Sequence, residues 1–202
     1  VAVKPQVFPN ILDDLRAFIG EGTLALSIMA GITLDNLSAK LGTKRVARAM
    51  PNTPGLVGEG MTLLCLPESA EEDDAAYLRE LLTPLGAVEG PLGEDQLSAA
   101  TAISGCGPAY AFLLAEVMAA AGEAKGLSRD LALRLAQKTV QGAGALMMDS
   151  EDPPSTLREN VTSPGGVTKA ALDVLMREGA MPSLMKEAVD AAIKRDRELS
   201  GD

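Results

Sequence analysis

Histidine and tryptophan are absent from this chain, and aromatic residues of every kind make up only 2% of its 202 residues. Without histidine there can be no Ser-His-Asp triad and no His-ligated metal site. With so few rings, Leu, Ala, Val and Met must fill the core, and small side chains of that kind let helices approach closely. Cysteine is almost as scarce. Cys65 and Cys106 stand far apart and form no metal-binding spacing, the pattern of a reduced, cytoplasmic protein. Positive charge is in deficit, with 18 Lys and Arg against 28 Asp and Glu and a net charge of -10. An acidic surface repels phosphate backbones, so nucleic acid is not an expected partner. No signal-peptide pattern is present. The most apolar stretch, residues 108–122, carries Glu116 and is too short to span a bilayer, so no membrane is expected either.

What is present divides into two styles. The first half alternates short β-type runs with helical periodicity. Strands are expected at 1–4, 23–29, 45–50, 61–66 and 87–89, and helices at 7–19, around Leu34, Leu37 and Leu41 with Thr33 as cap, and at 70–82. Strands separated by helices imply crossovers and a mostly parallel sheet. From about Glu94 no strand pattern remains. Helices are expected at 97–103, 109–125, 129–148, 167–177 and 183–199, with Gly126 and Gly179 as stops. The helix from Ala109 is apolar around nearly its whole circumference. A domain of about 100 residues has little room to bury such a helix, so a second subunit is expected to cover it. Val1 opens directly into an apolar run without a start methionine, as an excerpt of a longer chain would.

Four stretches have the composition of binding loops. In Ser163-Pro164-Gly165-Gly166-Val167-Thr168, two glycines precede a helix whose free N–H groups attract an anion, with the Thr168 hydroxyl beside it. An ordinary helix start capped by Ser163 fits the same residues. Ser104-Gly105-Cys106-Gly107-Pro108 is a glycine-rich turn into a helix. It reads either as bare backbone for a flat ring or as a hinge between domains. Asn52, in Met50-Pro51-Asn52-Thr53-Pro54, follows a strand end, where ligands bind in open α/β sheets, but a rigid double-proline turn is the plainer reading. Lys4, before Pro5, is placed for a cofactor phosphate or simply for solvent. Glu151 and Asn160 flank the Ser163 loop and either serve it or cap helices. Glu71, Glu72, Asp73 and Asp74 read as a solvated first turn, and Cys65 as a buried apolar residue.

Taken in order, Ala2-Val3-Lys4-Pro5-Gln6, Ser27-Ile28-Met29-Ala30-Gly31, Arg48 through Pro54, Ser104 through Tyr110 and Val161 through Thr168 resemble the signature stretches of pyrroline-5-carboxylate reductases. The resemblance covers nearly the whole chain. It implies an α/β Rossmann-type parallel sheet, incomplete at its N-terminus, followed by an all-α helical dimerisation domain. Residues 1–96 would be the C-terminal portion of the dinucleotide-binding domain and residues 97–202 the dimerisation and substrate domain. It also implies homodimers that assemble into rings such as a decamer, and NADP or NAD as cofactor. The family's opening strand and Gly-rich phosphate loop are not in this sequence, which predicts weak dinucleotide binding. The implied reaction is reduction of 1-pyrroline-5-carboxylate to L-proline.

By the same resemblance, Lys4, Pro5, Ala30, Gly31, Asn52, Ser104, Gly105 and Cys106 would bind cofactor. Cys106 stands where the family usually has serine, and a thiol is the weaker donor. Glu151, Asn160, Ser163, Gly165, Gly166, Val167 and Thr168 would bind substrate. The amides of Gly165, Gly166 and Val167 would hold its carboxylate, and the Thr168 hydroxyl would serve the imine nitrogen as the catalytic contact. Two other readings remain. A hydroxyacid-dehydrogenase-like oxidoreductase would need a lysine acid/base such as Lys169 or Lys125, and a helical assembly module would need no catalyst at all.

Overall fold

The structure is a computed structural model that describes residues 1–200, without the side chains of Glu72 and Ser200. It separates into two compact units, Val1–Pro108 with the chain from Val189 onward, and Ala109–Ala188. The expected division fell at residues 96 and 97. The helix beginning at Glu94 groups instead with the sheet, as does the end of the last helix.

The first unit holds β1 (Ala25–Ser27), β2 (Val46–Pro51), β3 (Gly60–Cys65) and β4 (Gly86–Leu92), in that spatial order. With them are α1 (Phe8–Ala17), α2 (Leu34–Leu41), α3 (Glu72–Leu82) and α4 (Glu94–Ser104). β1 and β2 pair in parallel, as do β3 and β4, but β2 and β3 are antiparallel. The connection from β2 to β3 explains the reversal. It contains only a 3-10 turn, Thr53–Val57, and a parallel crossover needs a dozen residues or more. Leu63, Leu64 and Cys65 of β3 are buried, as expected for a strand covered on both faces. Phe8, Leu34, Leu37, Leu41 and Leu97 pack on one face with Met29 and Val46. Leu78 and Leu82 of α3 pack with Ala47, Ala49 and Leu64.

The expected strand at 1–4 is not formed. Val1 alone makes a parallel bridge to β1, donating from its amino group to the Leu26 carbonyl and accepting from the Ile28 N–H. By Lys4 the chain has already turned, its carbonyl accepting from Val7 N–H at 2.8 Å, and Pro5 has no N–H with which to extend a ladder. The acidic turn before Tyr77 is not wholly solvated either. Asp74 is buried and paired with Arg45 at 2.5 Å, because a carboxylate on the covered face of a helix must find a cation. α2 starts as expected. Thr33 caps it, its Oγ1 accepting from Asn36 N–H at 3.2 Å, and Gly42 ends it in the left-handed conformation at φ 74°.

The second unit is helical. α5 (Gly107–Glu123) leads into it, followed by α6 (Arg129–Asp149), α7 (Pro154–Asn160) and α8 (Val167–Leu175), and α9 (Met181–Ser200) leaves it. α7 is absent from the expected helices because Ser, Thr, Arg, Glu and Asn interrupt any apolar stripe over its seven residues. α5 lies close against α6. A methyl group added at Gly122 would meet Ala132 Cβ at 3.3 Å. Ala132 and Ala136 are the unit's buried apolar residues among those described. Phe112, Leu113, Val117, Leu135, Met148 and Leu184 are all exposed. The all-round apolar helix is therefore bare in a single chain. Its span also exceeds the expectation, since the helical stretch Glu94–Glu123 has 30 residues and is long and apolar enough to cross a membrane by length and composition. The uncovered core helix of an oligomer has the same composition.

Removing one oriented cap should be measurable on its own. Thr33→Ala is expected to destabilise the first unit by about 1 kcal/mol, read as a lower urea midpoint, whereas Thr33→Ser should lie close to the native value.

Candidate functional site

The first unit gathers its candidate residues on one edge of the sheet. β1 and β2 run parallel, with Ser27 opposite Arg48, so Ala30 and Gly31 after β1 and Asn52 after β2 follow the carboxyl ends on the same side. The single bridge at Val1 runs the same way and sends Lys4 and Pro5 to that edge. Lys4 and Ala30 are exposed, and Asn52 is half-buried. Ser104 joins them through Asn52, whose Nδ2 donates to the Ser104 carbonyl at 2.9 Å while its Oδ1 accepts from Met61 N–H at 2.9 Å. Gly105 and Cys106 follow directly. Edges formed by the carboxyl ends of parallel strands are where open α/β sheets bind ligands.

Two glycines on this edge have different physical reasons. Gly31 is left-handed, at φ 70°, and a methyl group on it would sit 3.2 Å from the Leu199 carbonyl, so the chain itself requires glycine there. Gly107 has open space where its Cβ would be. Its bare backbone is free for another molecule to approach.

Neither Arg48 nor Glu94 is among the site residues read from the sequence. Arg48 is buried in β2 and its Nη1 donates to Glu94 Oε1 at 2.6 Å. The same oxygen accepts from Leu34 N–H at 2.8 Å. A lone arginine in an apolar strand was the available signal, since a buried charge implies a partner. Cys65 lies nearby and is fully buried. Burial and then the Glu94 carboxylate push its thiol up to about 11, against a smaller downward pull from Arg48. Cys65 is accordingly an inert thiol and not a nucleophile.

In the second unit, Ser163, Pro164, Gly165, Gly166, Val167 and Thr168 form a turn entering α8. Gly165 has φ 69° and Gly166 is the N-cap, with no side chain capping the helix. Ser163 is therefore not the cap. It sits behind the turn, where its carbonyl accepts from Gly166 N–H at 3.0 Å and its hydroxyl fills the space a Gly166 side chain would need. The Gly166 amide thus has a partner within the turn. The amides of Val167, Thr168 and Lys169 have no acceptor among the described residues, because the first bond of this helix is Ala170 N–H to the Gly166 carbonyl. Val167 and Thr168 are exposed. An uncapped, solvent-facing helix start with a threonine hydroxyl on it can receive a carboxylate. Glu151, in the bend after α6, and Asn160, the last residue of α7, are also exposed. Lys169 is engaged with Asp173 in an i,i+4 pair, and among the described residues no cluster of His, Cys, Asp or Glu could hold a metal.

Gly165→Ala should place a side chain in the left-handed region and cost about 1–2 kcal/mol, seen as a lower thermal midpoint. Gly142→Ala, in the middle of α6 with open space at its Cβ, should be neutral or stabilising.

A family model described as pyrroline-5-carboxylate reductase dimerisation matches residues 94–199. The chain is 40% identical over 199 residues to pyrroline-5-carboxylate reductase of Arabidopsis thaliana, covering 98% of this chain and 71% of that protein. Among solved structures it resembles the pyrroline-5-carboxylate reductase of Coxiella burnetii, with TM-score 0.91 and 36% identity over 98% of this chain and 74% of that one. It also resembles the Plasmodium falciparum pyrroline carboxylate reductase solved with NADP bound, with TM-score 0.86 and 32% identity over 98% and 79%. With these matches, a carboxyl-end sheet edge and a helical unit with an uncapped helix start, the chain belongs to the pyrroline-5-carboxylate reductase family.

Proposed function

We propose that this chain reduces 1-pyrroline-5-carboxylate to L-proline with NADPH or NADH, the last step of proline biosynthesis. The observation that carries the reading is the uncapped N-terminus of α8, with its free Val167 and Thr168 amides, in a chain of this family. The substrate is a five-membered cyclic imine with a carboxylate. Val167 and Thr168 N–H groups bind that carboxylate, aided by the positive end of the helix dipole. The left-handed turn at Gly165 and the Ser163–Gly166 bond fix the direction of those amides before substrate arrives. The Thr168 hydroxyl orients the ring nitrogen and relays a proton to it from water. A threonine hydroxyl is too weak an acid to act alone at neutral pH. Glu151 and Asn160 order the loop.

The residues of the sheet edge fit a nicotinamide dinucleotide. Gly107 presents open backbone on the segment that Asn52 anchors to this edge, with Ala30 beyond β1. Lys4, Pro5, Ala30, Gly31, Ser104, Gly105 and Cys106 would hold it there, with Asn52 behind them as the anchor of the Ser104 segment. When bound, the cofactor supplies the hydride that the imine carbon receives.

A second copy of the chain covers α5 and the groove of about 790 Å³ beside it, lined by Phe112, Ala115, Arg134 and Gln137. Burying a side chain of Leu or Phe size is worth roughly 1.5–3 kcal/mol, so five or six such residues supply on the order of 10 kcal/mol to the dimer. Further assembly into a ring such as a decamer belongs to the same proposal. So does a cytoplasmic location, supported by two cysteines that are both free.

Light scattering at micromolar protein should give at least twice the mass of one chain, and a monodisperse monomer would refute the dimer. Thr168→Ala should lower kcat/KM for pyrroline-5-carboxylate by about 10–100-fold, or roughly 1.4–2.7 kcal/mol, with cofactor affinity nearly unchanged. Thr168→Ser should keep most activity. The opposite ranking of the two variants would mean that Thr168 acts by packing.

A further inference from the structure

The joint between α4 and α5 lacks a hydrogen bond that an uninterrupted helix would have. Gly105 N–H and Cys106 N–H both donate to the Thr101 carbonyl, at 2.8 and 3.1 Å. The carbonyl of Ser104 would next accept from residue 108, four positions on, but Pro108 has no N–H to donate. Its ring also crowds the carbonyl four residues back. The Ser104 carbonyl is thereby left without the helix donor four residues on.

Asn52 supplies that partner. Its Nδ2 donates to Ser104 O at 2.9 Å, and its Oδ1 accepts from Met61 N–H at 2.9 Å. One half-buried carboxamide thus ties together the loop after β2, the second residue of β3 and the last residue of α4. The separation in sequence between Asn52 and Ser104 is 52 residues, so the link is a tertiary one and not a local turn. Both of its bonds go to backbone, which leaves one N–H and one lone-pair direction of the amide uncommitted.

We propose that Asn52 is a positioning residue that replaces the helix bond Pro108 removes, and so holds Ser104-Gly105-Cys106-Gly107 in place along the sheet edge. Its influence on the reaction is indirect. It sets where the bare Gly107 backbone lies and makes no contact with substrate itself. This kinetic consequence rests on the reductase reading, but the structural claim does not.

The chain contains its own reporters. Cys106 is half-buried in the held segment, and Cys65 is fully buried in β3. In the whole protein, Asn52→Ala should raise the rate of Cys106 labelling by a thiol reagent about fivefold to tenfold, the effect of losing one hydrogen bond on local opening. Cys65 should stay protected in the same sample. Asn52→Asp keeps the acceptor for Met61 N–H but has no donor for Ser104 O, so it should match Asn52→Ala at Cys106. Adding Pro108→Ala to Asn52→Ala restores an N–H that can reach Ser104 O, and should slow Cys106 labelling again. In turnover, both Asn52 variants should lose kcat more than they raise the KM for pyrroline-5-carboxylate. Native labelling of Cys106 in both Asn52 variants would overturn the proposal, as would equal exposure of Cys65 and Cys106. Absence of pyrroline-5-carboxylate reduction by the unsubstituted protein would instead overturn the reductase reading and leave the labelling result standing.

Discussion

Residues 109–188 cannot bury their own apolar side chains, and much else about the chain depends on that constraint. Ala132 and Ala136 are their only buried hydrophobic residues among those described. Gly122 lets α5 approach α6 to the distance of methyl contact, yet Phe112, Leu113 and Val117 remain exposed. Close packing of small residues gives a helix pair its geometry but removes little apolar surface from water. The missing burial must come from another copy of the chain. For such a protein, folding and association are one equilibrium, and the stability of the helical unit depends on protein concentration. The high apolar content of a chain with net charge -10 follows from the same division. Charge keeps the assembled surface soluble, and apolar residues are reserved for contacts between copies.

The sheet unit is organised differently, around a few polar struts placed where the backbone would otherwise be unsatisfied. Glu94 Oε1 receives both the Arg48 guanidinium and the first amide of α2. Arg45 reaches Asp74 and also the Gly22 carbonyl. Asn52 satisfies Ser104 and Met61. Each strut joins elements far apart in sequence, and each ends on at least one backbone group. Deleting one partner would leave a buried donor or acceptor, which costs more than the bond itself is worth. These struts tie distant elements of the sheet unit together without an extensive aromatic core.

The helices and strands were legible in the sequence wherever one periodicity ran uninterrupted. α2, with Thr33 before it and Gly42 after it, and α6, with its capping Ser128, are examples. α7 was not legible, because its seven residues carry no stripe. The antiparallel β2–β3 pair was hidden because the direction of a strand is fixed by the length of its connection and not by its residues. At the candidate site, sequence located the Ser163–Thr168 and Ser104–Pro108 turns, since glycine and proline mark backbone geometry directly. It did not reveal which groups those turns leave free. That Gly166 donates to Ser163 while Val167 and Thr168 do not, or that Asn52 is committed to backbone, depends on hydrogen bonds that only the folded chain defines.

The acidic balance of the chain and the proposed chemistry of its site are compatible because the proposed site would hold the anion without cations. A protein of net charge -10 works against the approach of a carboxylate, and a buried lysine or arginine at the site would raise a desolvation cost of its own. In the proposed site, backbone amides at the start of α8 would avoid both difficulties. They are fixed by Gly165 and by the Ser163–Gly166 bond, so little conformational entropy is lost when they bind. Their partial charge sums with the helix dipole at one end only, which makes the attraction local. In the proposed site a neutral hydroxyl at Thr168 would orient the imine nitrogen, a role that asks for no histidine in a chain that has none.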